Sequence, residues 1–303
     1  MNTDRFEWSC TRKRRFEFCL RAYFLRYVAQ LDDERLAPTT DRPLAFYRRL
    51  KTQTGWVRGL LLTALETVLS EAALKGRQAS GDDLRRAAMS LVNRDTFLLR
   101  RRAWQEDHKT LCLKEIHYGE STTEETIRRG REKLLSLVEL FARCRLFEEL
   151  ASLPFNALKP VAKPESFDFE GTTLWTSPDL SWTAEGRHWI VCLSLGDEDN
   201  DGRWSLRMGV NTLSRIARCG GWESRIVGAT VFFNAGDALP VYARTSRGET
   251  ERVMREDIEN ALSKHKAYDA RGIEAFMPVA EFGKCAACPF REICEAAVLR
   301  LAR

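Results

Sequence analysis

The chain has 303 residues, of which 44% are hydrophobic, and its net charge is +5. This length can bury one large core or two smaller ones, so no disulfide framework or structural metal is needed for stability. The longest apolar run, Gly59 to Leu69, contains Glu66 and is too short to cross a membrane, so we expect a soluble protein. The mild basic excess permits a polyanionic partner without requiring one.

The nine cysteines are an odd number at irregular spacing, and the first residues, Met1 to Arg5, carry no apolar leader. Both features favour the reducing cytoplasm over a disulfide-rich exported protein. We therefore expect thiols in or near the core at five positions, which are Cys10, Cys112, Cys144, Cys192 and Cys219.

The first half of the chain has a helical pattern. Apolar residues recur every three or four positions from about Arg12 to Leu150, with breaks near residues 37–40 and 79–82. Between Trp56 and Glu66 the apolar face is nearly continuous, which predicts a helix buried on several sides. We assign residues 1–155 to this helical region.

The helical half contains three short runs of basic residues. They are Arg12, Lys13, Arg14 and Arg15; Arg100, Arg101 and Arg102; and Arg128, Arg129 and Arg131. Solvated helix faces account for many such runs, and contacts with nucleic-acid phosphates are the alternative. The first two runs are our candidates for DNA binding.

Beyond Pro154, Pro160 and Pro164 the pattern changes to short β-prone segments. The predicted strands are Thr172 to Thr176, Leu180 to Thr183, His188 to Leu195, Arg225 to Phe233 and Leu239 to Arg244. The predicted helices run from Trp204 to Arg218, before Gly220 and Gly221, and from Gly248 to about Lys266, and the acidic stretch 196–202 is a predicted loop. This order predicts a small mixed sheet flanked by helices over residues 156–270.

Residues 271–303 form a tail that contains three thiols. Cys285, Cys288 and Cys294 have C-x2-C-x5-C spacing, which brings their sulfurs together so that one ion or cluster could bind. Cys19 is a candidate fourth ligand far upstream, and Cys10 is the spare candidate. Four thiolates suit a [4Fe-4S] cluster, and zinc or plain buried thiols are the alternatives.

Taken together, Cys19, the Pro178-Asp179 pair, the β-β-α-β run and the three-cysteine tail resemble the PD-(D/E)XK nucleases of the RecB and AddB type. The resemblance is greatest to their iron-sulfur branch, which includes the CRISPR-associated RecB-like exonucleases. It implies an α/β restriction-endonuclease-like fold. It also implies a [4Fe-4S] cluster that joins the two ends of the fold, with four ligands here: Cys19, Cys285, Cys288 and Cys294.

The resemblance also implies an active site in which two acids hold Mg²⁺ or Mn²⁺ and a nearby Lys positions water. Asp179 matches the first acid, although Asp is also common after Pro in ordinary turns. The acid-x-Lys positions on the next strand hold Cys192 and Ser194, which are poor substitutes for a carboxylate and an ammonium group.

Other positions depart from the pattern as well. Thr63 takes the place of the usual His, and Arg207 and Asn211 stand where Gln and Tyr are expected. Replacement ligands could come from the loop after the strand, with an arginine as the cation; the candidates are Asp197, Glu198, Asp199, Asp201, Arg187 and Arg203.

From these residues we expect a catalytically degenerate member of the branch. It would bind DNA or serve as a scaffolding subunit, together with a protein partner, in a DNA-processing or defence complex. One alternative is an active Mg²⁺- or Mn²⁺-dependent nuclease with rearranged ligands around Asp179. The other is a protein-binding adaptor without nucleic-acid contact.

Overall fold

A computed structural model describes residues 6–29, 42–153, 158–159, 164–184, 186–195, 203–218, 226–234, 237–242, 246–279 and 281–294. Its α-helices are α1 Cys10–Phe18, α2 Leu20–Tyr23, α3 Leu44–Arg49, α4 Gln53–Leu74, α5 Gly81–Arg100, α6 Lys114–His117, α7 Thr123–Ala142, α8 Arg145–Ala151, α9 Arg203–Arg218, α10 Arg247–Arg271 and α11 Phe282–Ala287. Its strands are β1 Glu7–Trp8, β2 Leu158–Lys159, β3 Glu165–Phe169, β4 Thr172–Thr176, β5 Leu180–Ala184, β6 Arg187–Ser194, β7 Ile226–Asn234 and β8 Asp237–Tyr242.

The larger sheet has the strand order β2-β5-β6-β7-β8. Among the strands described for this sheet, only the β6–β7 pair is parallel, and it aligns Cys192 with Thr230. Strand β6 is apolar on both faces because both faces are covered. Its residues Val191 and Leu193 join the main core, whereas Ile190 and Cys192 pack against Met208 of α9.

The helical half covers one face of this sheet. Helix α4 packs against α5 and α7 at its centre, which explains why it is apolar on several sides. The Trp56 indole N–H donates a hydrogen bond of 2.9 Å to the buried Asp95 carboxylate on α5. Phe141 of α7 stacks on Phe233 of β7, with their ring centroids 6.1 Å apart. The helices and the sheet therefore share one core.

A second, smaller sheet has the order β1-β4-β3, with β1 parallel to β4. Trp8 and Leu174 from this sheet pack with Met254 and Ile258 of α10 and with the apolar face of α9. Helix α9 thus lies between the larger sheet on one side and the small sheet with α10 on the other.

The predicted strands and helices of the second half are confirmed to within a few residues, as is the helical first half. The single predicted sheet is wrong, because Thr172–Thr176 belongs to the small sheet with β1 and β3. Strand β1 has only two residues, too few to produce a periodic pattern. It also joins the predicted helical region to the predicted α/β core. Five predicted features lie outside the described residues: the 37–40 break, the 196–202 loop, the thiol of Cys219, the glycines at 220–221 and the boundary at residue 155.

No helix in the described ranges is both long and apolar enough to cross a membrane. The eight cysteines that the structure describes form no disulfide.

The contact between α7 and α4 makes a testable prediction. A Cβ atom at Gly130 would overlap the Trp56 ring, so Gly130→Ala should lower the free energy of unfolding by about 1 to 3 kcal/mol, as overpacking does. Gly59→Ala on α4 is the control, because a Cβ there meets nothing within 4 Å. It should raise stability by about 0.5 to 1 kcal/mol. Urea denaturation measures both, and equal effects would contradict the packing described here.

Candidate functional site

A polar cluster with a buried carboxylate at its centre surrounds Asp179, just before β5. The Asp179 side chain is 5% exposed, and Nη2 of Arg58 on α4 donates to its two oxygens at 2.7 and 2.8 Å. Nη2 of Arg207 on α9 donates to Oδ1 at 3.0 Å, and the Leu193 backbone N–H donates to Oδ2 at 2.6 Å. Both carboxylate oxygens are therefore engaged by the protein itself.

Burial and charge act in opposite directions on the pKa of Asp179. Burial raises the pKa of the carboxyl group, but the Arg207 and Arg58 guanidinium groups and the Leu193 N–H outweigh it. The pKa therefore lies below its ordinary value, and the group is ionised at neutral pH. In the same way, the Asp179 carboxylate, through its charge and its hydrogen bond, opposes the effect of burial on Arg207, and the pKa of the guanidinium lies above its ordinary value.

The predicted acid-x-Lys positions carry no charge here. Cys192 is 2% exposed, and its sulfur accepts a hydrogen bond of 3.5 Å from the Asn211 amide. Burial raises the pKa of the Cys192 thiol, so it stays protonated at neutral pH. Ser194 is equally buried, two residues further along β6. Thr63, at the expected His position, is exposed and donates its hydroxyl hydrogen to the Gly59 carbonyl.

The arginines at Asp179 also line a cavity of about 610 Å³. Helices α1, α4 and α9 all contribute residues near their amino-terminal ends to its wall. Five cationic and three carboxylate side chains line it: Arg12, Lys13, Arg14, Arg58 and Arg207, and Glu7, Glu17 and Asp179. The lining is therefore net positive.

The structure separates the two predicted basic runs. Arg12, Lys13 and Arg14 line the cavity, where Arg12 pairs with Glu7 and Lys13 with Glu17 and with Asp257 of α10. In the second run, Arg100 makes a two-pronged ion pair with Glu124, and the Arg101 guanidinium lies 5.3 Å from the Phe97 ring centre. Arg102 has a left-handed backbone, with φ of 51°.

Sequence reasoning missed Arg58. It is the one cation in the stretch from Trp56 to Glu66, whose apolar face we had interpreted only as core. A single arginine in an otherwise apolar, buried helix needs a charged or polar partner. Its presence in the sequence was therefore the signal that could have predicted a buried ion pair. Arg207 was noticed only as a departure from the expected Gln. Of the proposed replacement residues, Arg187 is exposed on β6, and the four acids lie outside the described residues.

The four predicted cluster cysteines line a second cavity. Cys19 is the residue with extended backbone between α1 and α2. Cys285 lies in α11, and Cys288 and Cys294 follow that helix. The Val279 N–H is 3.5 Å from the Cys19 sulfur, and the Phe290 N–H is 3.5 Å from the Cys288 sulfur. Two segments at opposite ends of the chain therefore bring four thiols to one place.

The chemistry of this donor set suits a metal cluster, because buried thiols with backbone N–H donors are typical cluster ligands. Burial raises the pKa of Cys288 to about 12, so a thiolate there needs a compensating positive charge. The space between the thiols is about 10 Å³, so their side chains would have to turn outward to admit a cluster. Within the described residues, no three His, Cys, Asp or Glu side chains are placed to hold a single metal ion.

Polar contacts attach the cysteine tail to the helical half. The Tyr47 hydroxyl donates to Glu292 Oε2 at 2.9 Å, and His117 Nε2 lies 3.1 Å from the same oxygen. The Tyr118 hydroxyl donates to the Pro289 carbonyl at 2.7 Å. These contacts orient the turn that carries Cys288 and Cys294. Arg15, from the first basic run, lies on this side of α1 and interacts electrostatically with Cys288.

Comparison with known proteins adds little. No family model matches the chain, and no curated protein is similar to it. Among solved structures, the crystal structure of SSO0001 is 13% identical, with a TM-score of 0.31 over 68% of this chain and 85% of that chain. Similarity at this level carries no argument about fold or function.

The ion pairs of Asp179 predict a pH-dependent stability. Because the folded pKa is depressed, the stabilisation is complete above the ordinary carboxyl pKa and is lost as the pH falls through the folded value. Asp179→Asn should therefore cost about 2 to 4 kcal/mol at neutral pH, and this cost should shrink in acid.

Urea denaturation from neutral to acidic pH measures this change, with Asp82→Asn as the control at an exposed position. The control should have a small effect at every pH. An Asp179→Asn cost that does not change with pH would mean that the carboxyl group is not ionised in the fold.

Proposed function

We propose that this protein is a catalytically degenerate, RecB-like PD-(D/E)XK protein that binds DNA without cutting it and acts as a subunit of a DNA-processing or defence complex. One observation carries the proposal: both oxygens of Asp179 are occupied by Arg58, Arg207 and the Leu193 N–H. A carboxylate held in this way has no lone pair directed at a divalent cation.

The neighbouring residues support the same proposal. Mg²⁺ prefers oxygen ligands in near-octahedral geometry, and Cys192 and Ser194 supply neither a carboxylate nor a cation. Arginine stabilises phosphate charge, but it stays protonated near neutral pH and cannot serve as the base that activates water. The residues therefore favour phosphate binding over hydrolysis.

DNA binding is supported by the positive cavity lining and by the part of the first basic run that reaches it. Phosphate contacts of this kind position a strand without reading its sequence. A protein partner would supply the catalytic step that this chain lacks. The second basic run contributes less in this proposal, because Arg100 is already paired with Glu124.

We include a [4Fe-4S] cluster in the proposal, with Cys19, Cys285, Cys288 and Cys294 as its ligands. The convergence of these thiols on one cavity supports it. When bound, the cluster would supply a covalent link between the two ends of the chain. A [4Fe-4S] cluster uses four thiolates, one on each iron, and zinc bound by the same four thiolates is the alternative that the measured metal content distinguishes.

The absence of cleavage is the first test. Purified protein should bind labelled single-stranded and duplex DNA at low salt, and its affinity should fall steeply as the salt concentration rises. It should leave both DNAs uncut in the presence of Mg²⁺ or Mn²⁺. Replacing Arg12 and Arg14 together by Gln should weaken binding, and replacing Arg128 and Arg129 on α7 is the matched control.

Two results would contradict this proposal. Cleavage that Asp179→Ala abolishes would identify an active nuclease with rearranged ligands. Failure to bind DNA even at low salt would favour the protein-binding adaptor.

The cluster has its own test. Anaerobically purified protein should be brown and contain iron and acid-labile sulfide in equal amounts. Replacing any of Cys19, Cys285, Cys288 or Cys294 by Ser should remove the colour, whereas Cys112→Ser should keep it, because Cys112 is buried beside Leu113 in the helical half. Colourless protein with stoichiometric zinc would overturn the assignment.

A further inference from the structure

Two helices have their amino-terminal ends at the cavity beside Asp179. The cavity is lined by the start of α1, with Ser9, Cys10 and Thr11, and by the start of α4, with Thr52, Thr54 and Gly55. Helix α9 lines it with Leu206 and Arg207, further along the helix. None of these helices has an acidic residue in its first turn. Each amino-terminal end acts as about half a positive charge, so the cavity attracts anions.

Polar groups without protein partners lie in the same wall. Arg58 uses only Nη2 to bind Asp179, and its buried Nε–H has no hydrogen-bond acceptor among the described residues. Asn211 is 3% exposed, and its Oδ1 atom likewise has no donor in the described chain. A buried polar group without a partner is costly. A small shift of this wall onto a ligand with oxygen acceptors and a hydroxyl or amino donor would satisfy both atoms.

The charge balance favours a dianion over a monoanion. The two guanidinium groups share a single carboxylate, which leaves one net positive charge before the helix ends are added. A terminal phosphate carries a charge of about −1.5 to −2 near neutral pH, whereas an internal phosphodiester carries one negative charge. The volume of about 610 Å³ also exceeds what a phosphate alone would need and leaves room for the attached nucleotide.

We propose that this cavity binds the terminal phosphate of a DNA strand, with Arg58 and Arg207 as its direct ligands and no metal ion. This inference rests on the proposed DNA-binding function and names the part of the DNA that the site recognises. Asp179 is then a positioning residue, because it holds both guanidinium groups and also competes with the phosphate for them.

Short single-stranded DNA oligonucleotides with a 5′-phosphate, a 3′-phosphate or only hydroxyl ends are the probes. Their affinities are measured by fluorescence anisotropy in EDTA, which removes divalent cations. At least one phosphorylated end should bind about tenfold more tightly than the hydroxyl ends. Inorganic phosphate should reduce this preference by competition.

Variants separate the ligands from their positioning residue. Arg58→Gln and Arg207→Gln should each abolish the preference for the phosphorylated end and keep weak, salt-sensitive binding of the hydroxyl form. Arg252→Gln on α10 is the control, since Arg252 also pairs with two glutamates but lies outside the cavity lining. Asp179→Asn should strengthen binding of the phosphorylated end about tenfold, because it releases the two guanidinium groups. If Asp179 instead held a metal ion that binds the phosphate, the same substitution would weaken binding.

The outcomes distinguish this inference from the proposed function. Equal binding of phosphorylated and hydroxyl ends would overturn the inference and leave DNA binding in place. A preference that appears only with Mg²⁺ or Mn²⁺, or that Asp179→Asn removes from a folded protein, would also overturn it in favour of a metal site. No binding of any oligonucleotide would overturn both.

Discussion

The ion pairs of Asp179 with Arg58 and Arg207 are the constraint on which the arrangement of layers depends. Arg58 comes from the central helix of the helical half, Asp179 from the start of β5, and Arg207 from the helix that covers the opposite sheet face. Each layer thus contributes one charge to the cluster. Removal of Asp179 leaves both guanidinium groups without their shared carboxylate, and removal of either arginine leaves the buried carboxylate with a single cationic partner. The cluster fixes the register between the helices and the sheet, and it also occupies the carboxylate that a metal would need.

Helix α1 connects the two cavities. None of its residues is fully buried, but its aromatic side chains pack against the main core, and ion pairs of Arg12 with Glu7 and of Lys13 with Asp257 also hold it in place. Its first turn lines the positive cavity, and Cys19, directly after its end, lines the thiol cavity. A helix of nine residues is too short to be stable alone, so it depends on these contacts and on what holds its ends. Whatever binds Cys19 therefore also stabilises the wall of the positive cavity.

The sequence predicted those parts of the molecule that local pattern controls. Strand β6 and helix α9 were found because apolar runs and 3.6-residue periodicity mark them, and the tail cysteines were found by their spacing. The role of Arg58 could not be found in this way, because periodicity shows that a helix is buried but not which residue of another element meets each face. Strand β1 was missed for a related reason, since its pairing with β4 is a long-range contact of two residues.

The Asp179 cluster has the same net charge as the nuclease pattern that the sequence resembles, but it reaches that charge with different groups. In the nuclease pattern that the sequence resembles, two acids, a lysine and a divalent cation give a net charge of about +1 facing the phosphate. Here Asp179, Arg58 and Arg207 also sum to +1, from three residues that need no metal. Electrostatic attraction for a phosphate can thus persist after the water-activating groups are lost, because it depends on charge and not on ligand geometry. In the function proposed above, loss of cleavage with retained binding would be a single electrostatic substitution in which two guanidinium groups take the place of the cation, the second acid and the lysine.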